Sequence, residues 1–213
     1  MLTISLSDLA LDTTLLAQAF VTVLVIMDPL GNIPIFLTLT KDHTRERQRA
    51  AALQSVSVAA GVILAFALFG QQILHLLGIS IEALQVAGGL LLVGVALELL
   101  RPGGHATPAD GAATGNIAFV PLGTPLLAGP GTIAATILYM RRAEGIGANL
   151  SVVLALLGAL AVVYVVMRYS GIIGRLLKTN GIDLMSRVMG LLLAAIAVQL
   201  VAGGIATWVE NGV

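Results

Sequence analysis

Charged residues are scarce in this sequence. Lys and Arg number 11 and Asp and Glu 11, so 10% of the residues carry charge, against about 25% in ordinary globular chains. Hydrophobic residues make up 58%. So few charges cannot cover the surface of a soluble domain, which excludes a typical cytosolic enzyme and a disordered chain. The formal net charge is zero, so the overall charge balance does not point to a polyanion, and no nucleic-acid partner is expected.

Cysteine is absent, which excludes disulfides and thiolate metal sites. The three histidines, His43, His75 and His105, are scattered and have no metal-ligand spacing. The sequence also lacks H-E-x-x-H, G-x-S-x-G and a pair of aspartates within its apolar runs. We therefore expect no metal, no cofactor and no enzymatic activity, and no oligomeric state is predicted.

Long uncharged runs are abundant. A membrane-spanning helix needs about 20 mostly apolar residues, and six such spans fit the chain. Spans that face lipid must satisfy their own backbone hydrogen bonds, so each is expected to be a helix. The sequence therefore predicts an all-α membrane protein with six transmembrane helices, in contact with membrane lipids. The predicted spans are residues 12–40, 50–77, 81–100, 116–140, 148–169 and 183–209.

The basic residues are distributed unevenly between the two sides of these spans. Nine of them fall in the 41–49 loop, the 101–115 loop and the 168–187 region, whereas the other side has only Arg141 and Arg142. Cytoplasmic loops carry the excess of Lys and Arg. Both termini are therefore expected to lie outside the cytoplasm.

The two halves of the chain resemble each other. The spacing Pro-x4-Pro occurs at Pro29 and Pro34 and again 96 residues later, and the motif Gly-Leu-Leu-Leu occurs at Gly89 and Gly190. These matches predict a first three-helix repeat at 1–100, a Gly- and Pro-rich cytoplasmic linker at 101–115 and a second repeat at 116–213. Three is an odd number of spans, so the second repeat is expected to be inverted, as in many secondary transporters.

The paired prolines predict that helices 1 and 4 are broken near mid-membrane, because proline lacks an N–H and clashes with the preceding turn. Freed N–H groups suit a carboxylate and freed carbonyls suit an ammonium group, so two facing breaks suit a zwitterion. The alternative is a pair of proline kinks packed against neighbouring helices. The candidate substrate-binding residues are Asp28, Pro29, Gly31, Asn32, Pro34, Thr124, Pro125, Gly129, Pro130, Gly131 and Thr132.

Several roles stay open at this point. Asp28 is the one ionisable residue expected deep in the bilayer, and it is either a proton carrier or a helix cap. Asn32 either binds substrate or satisfies the break, and Thr132 is expected to bond a carbonyl of its own helix. Either proline of each pair can restart its helix. Glu98 is expected to form a surface pair with Arg101.

The motifs resemble those of a known family. Residues 28–36, 116–122, 125–133 and 187–193 are similar to segments of the MarC/SnatA family of bacterial and archaeal inner-membrane proteins, and the resemblance runs from about residue 12 to residue 206. It implies a transporter of small neutral amino acids such as glycine and alanine, with coupling to protons, in the inner membrane. A passive channel or exporter for another small solute and a non-transporting membrane scaffold are the alternatives.

Overall fold

In the computed structural model the described residues are 11–101 and 127–210, without the side chains of Lys178 and Thr179. Within these ranges the chain forms helices and no strand, which confirms the all-α prediction. The helices are α1 (Thr13–Met27), α2 (Asn32–Leu39), α3 (Arg45–Leu77), α4 (Ile81–Leu100), α5 (Pro130–Arg142), α6 (Ile146–Arg168) and α7 (Ser170–Glu210).

Local sequence signals determine where these helices begin and end. The side chains of Asp12, Thr44 and Ser80 each accept the backbone N–H three residues later, at the starts of α1, α3 and α4. This is the N-cap bond that satisfies an orphan donor of the first turn. Helix α3 ends at Gly78, whose φ of 67° is the left-handed conformation that glycine adopts without a Cβ clash.

Among the described residues, four helices are long and apolar enough to cross a membrane: α3, α4, α6 and the Asn180–Glu210 part of α7. Helices α1 and α2, bent by 50° at the predicted break, form either a broken span or a re-entrant loop, so these residues provide at most five of the six predicted spans. Helix α4 has the predicted bounds, 81–100. Of the predicted fourth span, 116–140, only residues from 127 onward are described, and most of the 101–115 linker lies outside the described residues.

Helix α7 differs from the prediction, which placed a basic connection before residue 183. The helix already begins at Ser170 and runs for 41 residues, about 60 Å at 1.5 Å per residue. That length exceeds one membrane crossing, so its first part extends beyond the span. This first part packs closely on α2 at Gly174, where a Cβ would lie 3.3 Å from Leu37 Cδ1.

Helix α4 packs along α7 through glycines. A Cβ on Gly89 would lie 2.8 Å from the Ala197 carbonyl oxygen, and a Cβ on Gly190 would lie 3.2 Å from the Ala96 carbonyl oxygen. Both glycines therefore allow close backbone approach, as small residues do at membrane-helix interfaces. Helix α1 packs on α6 in the same way, with Ala19, Ala155 and Ala159 fully buried.

The basic residues of α3 and α6–α7 lie at one end of the bundle. Arg45 and Arg49 line the same cavity as Arg168 and Arg175. At the other end of α3 and α4, Glu82 pairs with Arg141 at 3.0 Å. The basic residues at the start of α3 and those at the α6–α7 junction are thus brought together, at the end of the bundle away from Arg141.

Candidate functional site

The first break is a turn of four residues between α1 and α2. Helix α1 ends at Met27, and Asp28 then adopts φ 39° and ψ 66°, the only left-handed non-glycine backbone in the described ranges. Aspartate tolerates this conformation better than most residues. Helix α2 restarts at Asn32 and is 8 residues long, about 12 Å, so the break lies nearer to the α2 end than to mid-span.

The Asp28 carboxylate caps the turn that follows it. The Gly31 N–H donates to Asp28 Oδ1 at 3.1 Å, with the same three-residue separation as the helix caps at Asp12 and Ser80. The Asn32 N–H donates to the Asp28 carbonyl oxygen at 3.2 Å. Capping is therefore one role of Asp28, which is 7% exposed. Proton transfer stays a prediction.

Side chains satisfy the carbonyls that the two breaks release. Asn32 Nδ2 donates to the Met27 carbonyl oxygen at 2.7 Å, and Thr132 Oγ1 donates to the Leu127 carbonyl oxygen at 3.1 Å. Each bond reaches back five residues, and the two are 100 residues apart in the chain. Thr132 therefore bonds a carbonyl on the far side of its break, where the sequence suggested a carbonyl of its own helix.

The prolines, paired 96 residues apart in the sequence, occupy different helical positions. Pro130 is the first residue of α5, after the N-cap Gly129, whereas Pro34 is the third residue of α2. In the second half Pro130 therefore starts the helix. In the first half Pro29 directly follows the capping residue Asp28, and Pro34 lies one turn later. No side chain caps α5 within the described residues.

Both breaks line one cavity of about 300 Å³, together with α4. This volume is at the lower end of ligand pockets, which span about 300–1,000 Å³. Seven predicted site residues line the cavity. They are Asp28, Gly31, Asn32, Gly129, Pro130, Gly131 and Thr132.

Four other predicted site residues do not join this group. Pro29 is buried without lining the cavity, and Pro34 lines a separate groove between α2 and α7. Thr124 and Pro125 lie outside the described residues. Among the described residues, the predicted site residues that line the cavity are therefore Asp28, Gly31 and Asn32 in the first half and Gly129 to Thr132 in the second.

Glu98 also lines the cavity, which the sequence did not predict. The Arg101 N–H donates to the Glu98 carbonyl oxygen at 3.2 Å, but no side-chain hydrogen bond or ion pair joins the two residues within the ranges 11–101 and 127–210. The available signal was the position of Glu98 seven residues after Leu91 and three after Val95, which places all three on one face of α4. The proximity of Arg101 in sequence outweighed that signal and favoured a surface pair.

The lining of the cavity combines acidic residues with a helix N-terminus. Asp28 and Glu98 are the acidic residues, and Gly131 and Thr132 belong to the first turn of α5. A helix N-terminus presents backbone N–H groups and about half a positive charge. Much of the remaining lining is aliphatic, including Ile26, Ile35, Leu92 and Val95.

Comparison with known proteins places this fold in a family. A model described as MarC family integral membrane protein matches residues 13–209. A UPF0056 membrane protein of Methanocaldococcus jannaschii is 38% identical over 192 residues, covering 88% of this chain and 94% of its own. The UPF0056 membrane protein YvbG of Bacillus subtilis is 32% identical over 197 residues, covering 89% and 93% of the two chains.

A bacterial relative is described by its location. The UPF0056 inner membrane protein YhgN of Escherichia coli is 33% identical over 195 residues, covering 91% of this chain and 98% of its own. No solved structure matches the chain. With a family match over nearly its whole length, the chain belongs to the MarC family of integral membrane proteins.

Proposed function

We propose that this protein is a secondary transporter of small neutral amino acids, and that the substrate binds between the two broken helices. The observation that carries the proposal is the cavity lined by both breaks, whose lining combines two acidic residues with a helix N-terminus. The acidic groups suit an ammonium group and the helix N-terminus suits a carboxylate, so together they match a zwitterion.

The polarity of the site suggests how the substrate is oriented. Its ammonium group lies toward Asp28 and Glu98, and its carboxylate lies toward the Gly131 and Thr132 N–H groups at the start of α5. The other polar side chain of the lining is Asn32, whose Nδ2 is already bonded to the Met27 carbonyl oxygen, and the remaining lining offers mainly aliphatic contact to a substrate side chain. Glycine and alanine, which have almost no side chain, therefore fit this arrangement best.

An inverted repeat is part of the proposal. The bonds Asn32 to Met27 and Thr132 to Leu127 are related by 100 residues. The contacts Gly89 to Ala197 and Gly190 to Ala96 are reciprocal, because both the glycines and the alanines are 101 residues apart. Reciprocal contacts of this kind are the mark of a two-fold interface, here between two halves of one chain. They support two inverted repeats at 1–100 and 116–213.

The proposed location is the bacterial or archaeal inner membrane, with both termini outside the cytoplasm. The inner-membrane relative YhgN supports the membrane, and the clustered arginines at the start of α3 and the α6–α7 junction support the orientation. The turn at Asp28 is then about 12 Å, the length of α2, from the cytoplasmic surface.

Thermal unfolding of the detergent-solubilised protein in the presence of free amino acids tests substrate binding. A ligand that binds only the folded state raises the midpoint by mass action, and at 100 times its Kd it contributes about 2.7 kcal/mol. We expect glycine and L-alanine to raise the midpoint, and glycolate or ethylamine, which each lack one charge, to have no effect. Equal stabilisation by glycolate would contradict a zwitterion site.

Counterflow in proteoliposomes distinguishes a transporter from a channel. A carrier preloaded with unlabelled alanine accelerates the entry of labelled alanine, because the loaded site returns across the membrane faster than the empty one. A passive channel shows no such acceleration, and a membrane scaffold shows no uptake at all.

Replacing Asp28 with asparagine tests whether the charge of this residue contributes to substrate binding. Asparagine keeps the cap on Gly31 and tolerates the left-handed backbone, so the fold is retained. Loss of one charged hydrogen bond, worth about 1.5–3 kcal/mol, predicts a 10- to 100-fold weaker apparent affinity for alanine. If Asp28 also carries the proton, uptake loses its pH dependence as well. The measurement is initial uptake between pH 5 and pH 8.

The matched control is Asp12→Asn. Asp12 caps α1 with the same bond, to the Leu15 N–H at 2.9 Å, but it lies outside the cavity. Uptake by this variant is expected to equal that of the unmodified protein. Unchanged affinity in Asp28→Asn would remove Asp28 from the binding site, and unchanged pH dependence would remove it from proton coupling.

A further inference from the structure

A second cavity, of about 370 Å³, lies at the end of the bundle opposite the Glu82–Arg141 pair. It is formed by the first turns of α3 and by the junction between α6 and α7. Four arginines line it, and its lining contains no Asp or Glu: Arg45, Arg49, Arg168 and Arg175. Neither Glu46 nor Asp42, the acids closest in sequence to the α3 arginines, is among the lining residues.

These arginines have no acidic partner in the described part of the chain, where the one ion pair is Glu82 with Arg141. Arg168 is nevertheless held in position. Its Nη1 donates to the Tyr164 hydroxyl at 3.1 Å, and its guanidinium lies 5.9 Å from the ring centres of Tyr164 and Tyr169. Four like charges around one cavity repel one another, and a bound anion relieves that repulsion.

The polar groups beside the arginines add hydrogen-bond donors. Helix α7 begins in this cavity, at Ser170 and Gly171, and the first turn of α3 also lines it. The N-terminus of α3 therefore contributes positive partial charge, whereas that of α7 is offset by the C-terminus of α6, whose Met167 and Arg168 line the same cavity. Gln48 also lines the cavity, and its Nε2 donates to the Thr40 carbonyl oxygen at 3.1 Å. This bond connects α3 to the C-terminal end of α2.

An apolar groove continues from this cavity along α2 and α7. The groove shares Gln48, Gly171 and Arg175 with the arginine cavity, and it extends over Pro34, Leu37 and Ile182. A small inorganic anion occupies only the charged end of such a surface. A molecule with a phosphate at one end and a hydrocarbon chain at the other occupies both parts.

We propose that this surface binds one anionic phospholipid. Arg45, Arg49, Arg168 and Arg175 bind its phosphate, in the bidentate manner that guanidinium groups favour. One acyl chain lies in the groove between α2 and α7. The nine-to-two distribution of basic residues assigns this end to the cytoplasm, and anionic lipids of the cytoplasmic leaflet attract basic segments there. The lipid packs on α2, the helix that follows the turn capped by Asp28.

The test is thermal unfolding of delipidated protein in detergent after addition of phosphatidylglycerol, phosphatidylcholine or inorganic phosphate. We expect phosphatidylglycerol to raise the midpoint by several degrees, and the other two to have little effect. In the double variant Arg45→Gln/Arg175→Gln the phosphatidylglycerol shift is expected to fall to less than half. Both arginines are exposed, so the variant is expected to fold.

The matched control is Arg47→Gln combined with Arg187→Gln. These residues lie on the same two helices and remove the same charge, but neither lines the cavity or the groove. This control is expected to keep the full shift. Equal loss in both double variants would mean non-specific attraction and would overturn the proposal. A phosphate shift as large as the phosphatidylglycerol shift would assign the cavity to a small anion, and the absence of any shift would exclude the lipid.

Discussion

The Gly31→Ala variant is expected to lose at least about nine-tenths of alanine uptake while keeping its fold. A Cβ at Gly31 would overlap the Asp28 carboxyl group, which caps this same residue through the Gly31 N–H. The backbone of Gly31 is right-handed helical, with φ −64°, so alanine is compatible with it. The substitution therefore displaces only the Asp28 carboxylate, which must leave its place in the cavity lining. A tenfold loss corresponds to about 1.4 kcal/mol.

The measurement is alanine uptake in proteoliposomes, with Gly61→Ala as the matched control. A Cβ at Gly61 meets nothing within 4 Å, so this variant is expected to transport normally. A double-mutant cycle makes the test specific. In the Asp28→Ala background the overlapping group is gone, and Gly31→Ala is expected to have little additional effect. Full additivity of the two losses would show that Gly31 acts independently of Asp28.

The Gly89→Ala variant is expected to destabilise the protein by about 1–3 kcal/mol, the usual cost of overpacking a close contact. A Cβ at this position would lie 2.7 Å from Val201 Cγ2, 2.8 Å from the Ala197 carbonyl oxygen and 3.1 Å from the Val201 nitrogen. Two of these atoms belong to the α7 backbone, which cannot move aside as a side chain does. The helices α4 and α7 must therefore separate.

The measurement is the unfolding midpoint in detergent, with Gly94→Ala as the control on the same helix. A Cβ at Gly94 meets nothing within 4 Å, and alanine favours a helix over glycine by about 1 kcal/mol. Gly94→Ala is thus expected to be neutral or stabilising. Gly190→Ala is expected to destabilise as well, because of its reciprocal contact with Ala96. Equal midpoints for Gly89→Ala and Gly94→Ala would mean that α4 and α7 do not depend on this contact.

The two variants probe different consequences of glycine in this fold. At Gly31 the missing side chain makes room for a carboxyl group of the site, so the expected loss is in function. At Gly89 it makes room for a neighbouring backbone, so the expected loss is in stability. The sequence contains 24 glycines, and composition alone does not separate these roles from those of Gly61 and Gly94.

The sequence by itself determined the features that depend on local chemistry. Long runs with little or no charge indicated the membrane helices, and α4 has the bounds of the predicted span 81–100. The paired prolines indicated a break in the first span, because proline disturbs the turn in which it lies. These signals act over a few residues, and the resemblance to the MarC family used the same short motifs.

Only the tertiary structure decided which of these residues meet. Glu98, interpreted from its neighbour Arg101 as a surface residue, is exposed, and it also lines the same cavity as Asp28. The Asn32 and Thr132 bonds are 100 residues apart and the glycine contacts 101, which is the offset of the two Gly-Leu-Leu-Leu motifs, whereas the prolines are 96 residues apart. Such contacts join residues that are more than 60 positions apart in the chain, so they depend on how the helices pack. Residue spacing within one segment does not show which helices pack together, whereas the close backbone approach at Gly89 and Gly190 shows that α4 packs on α7.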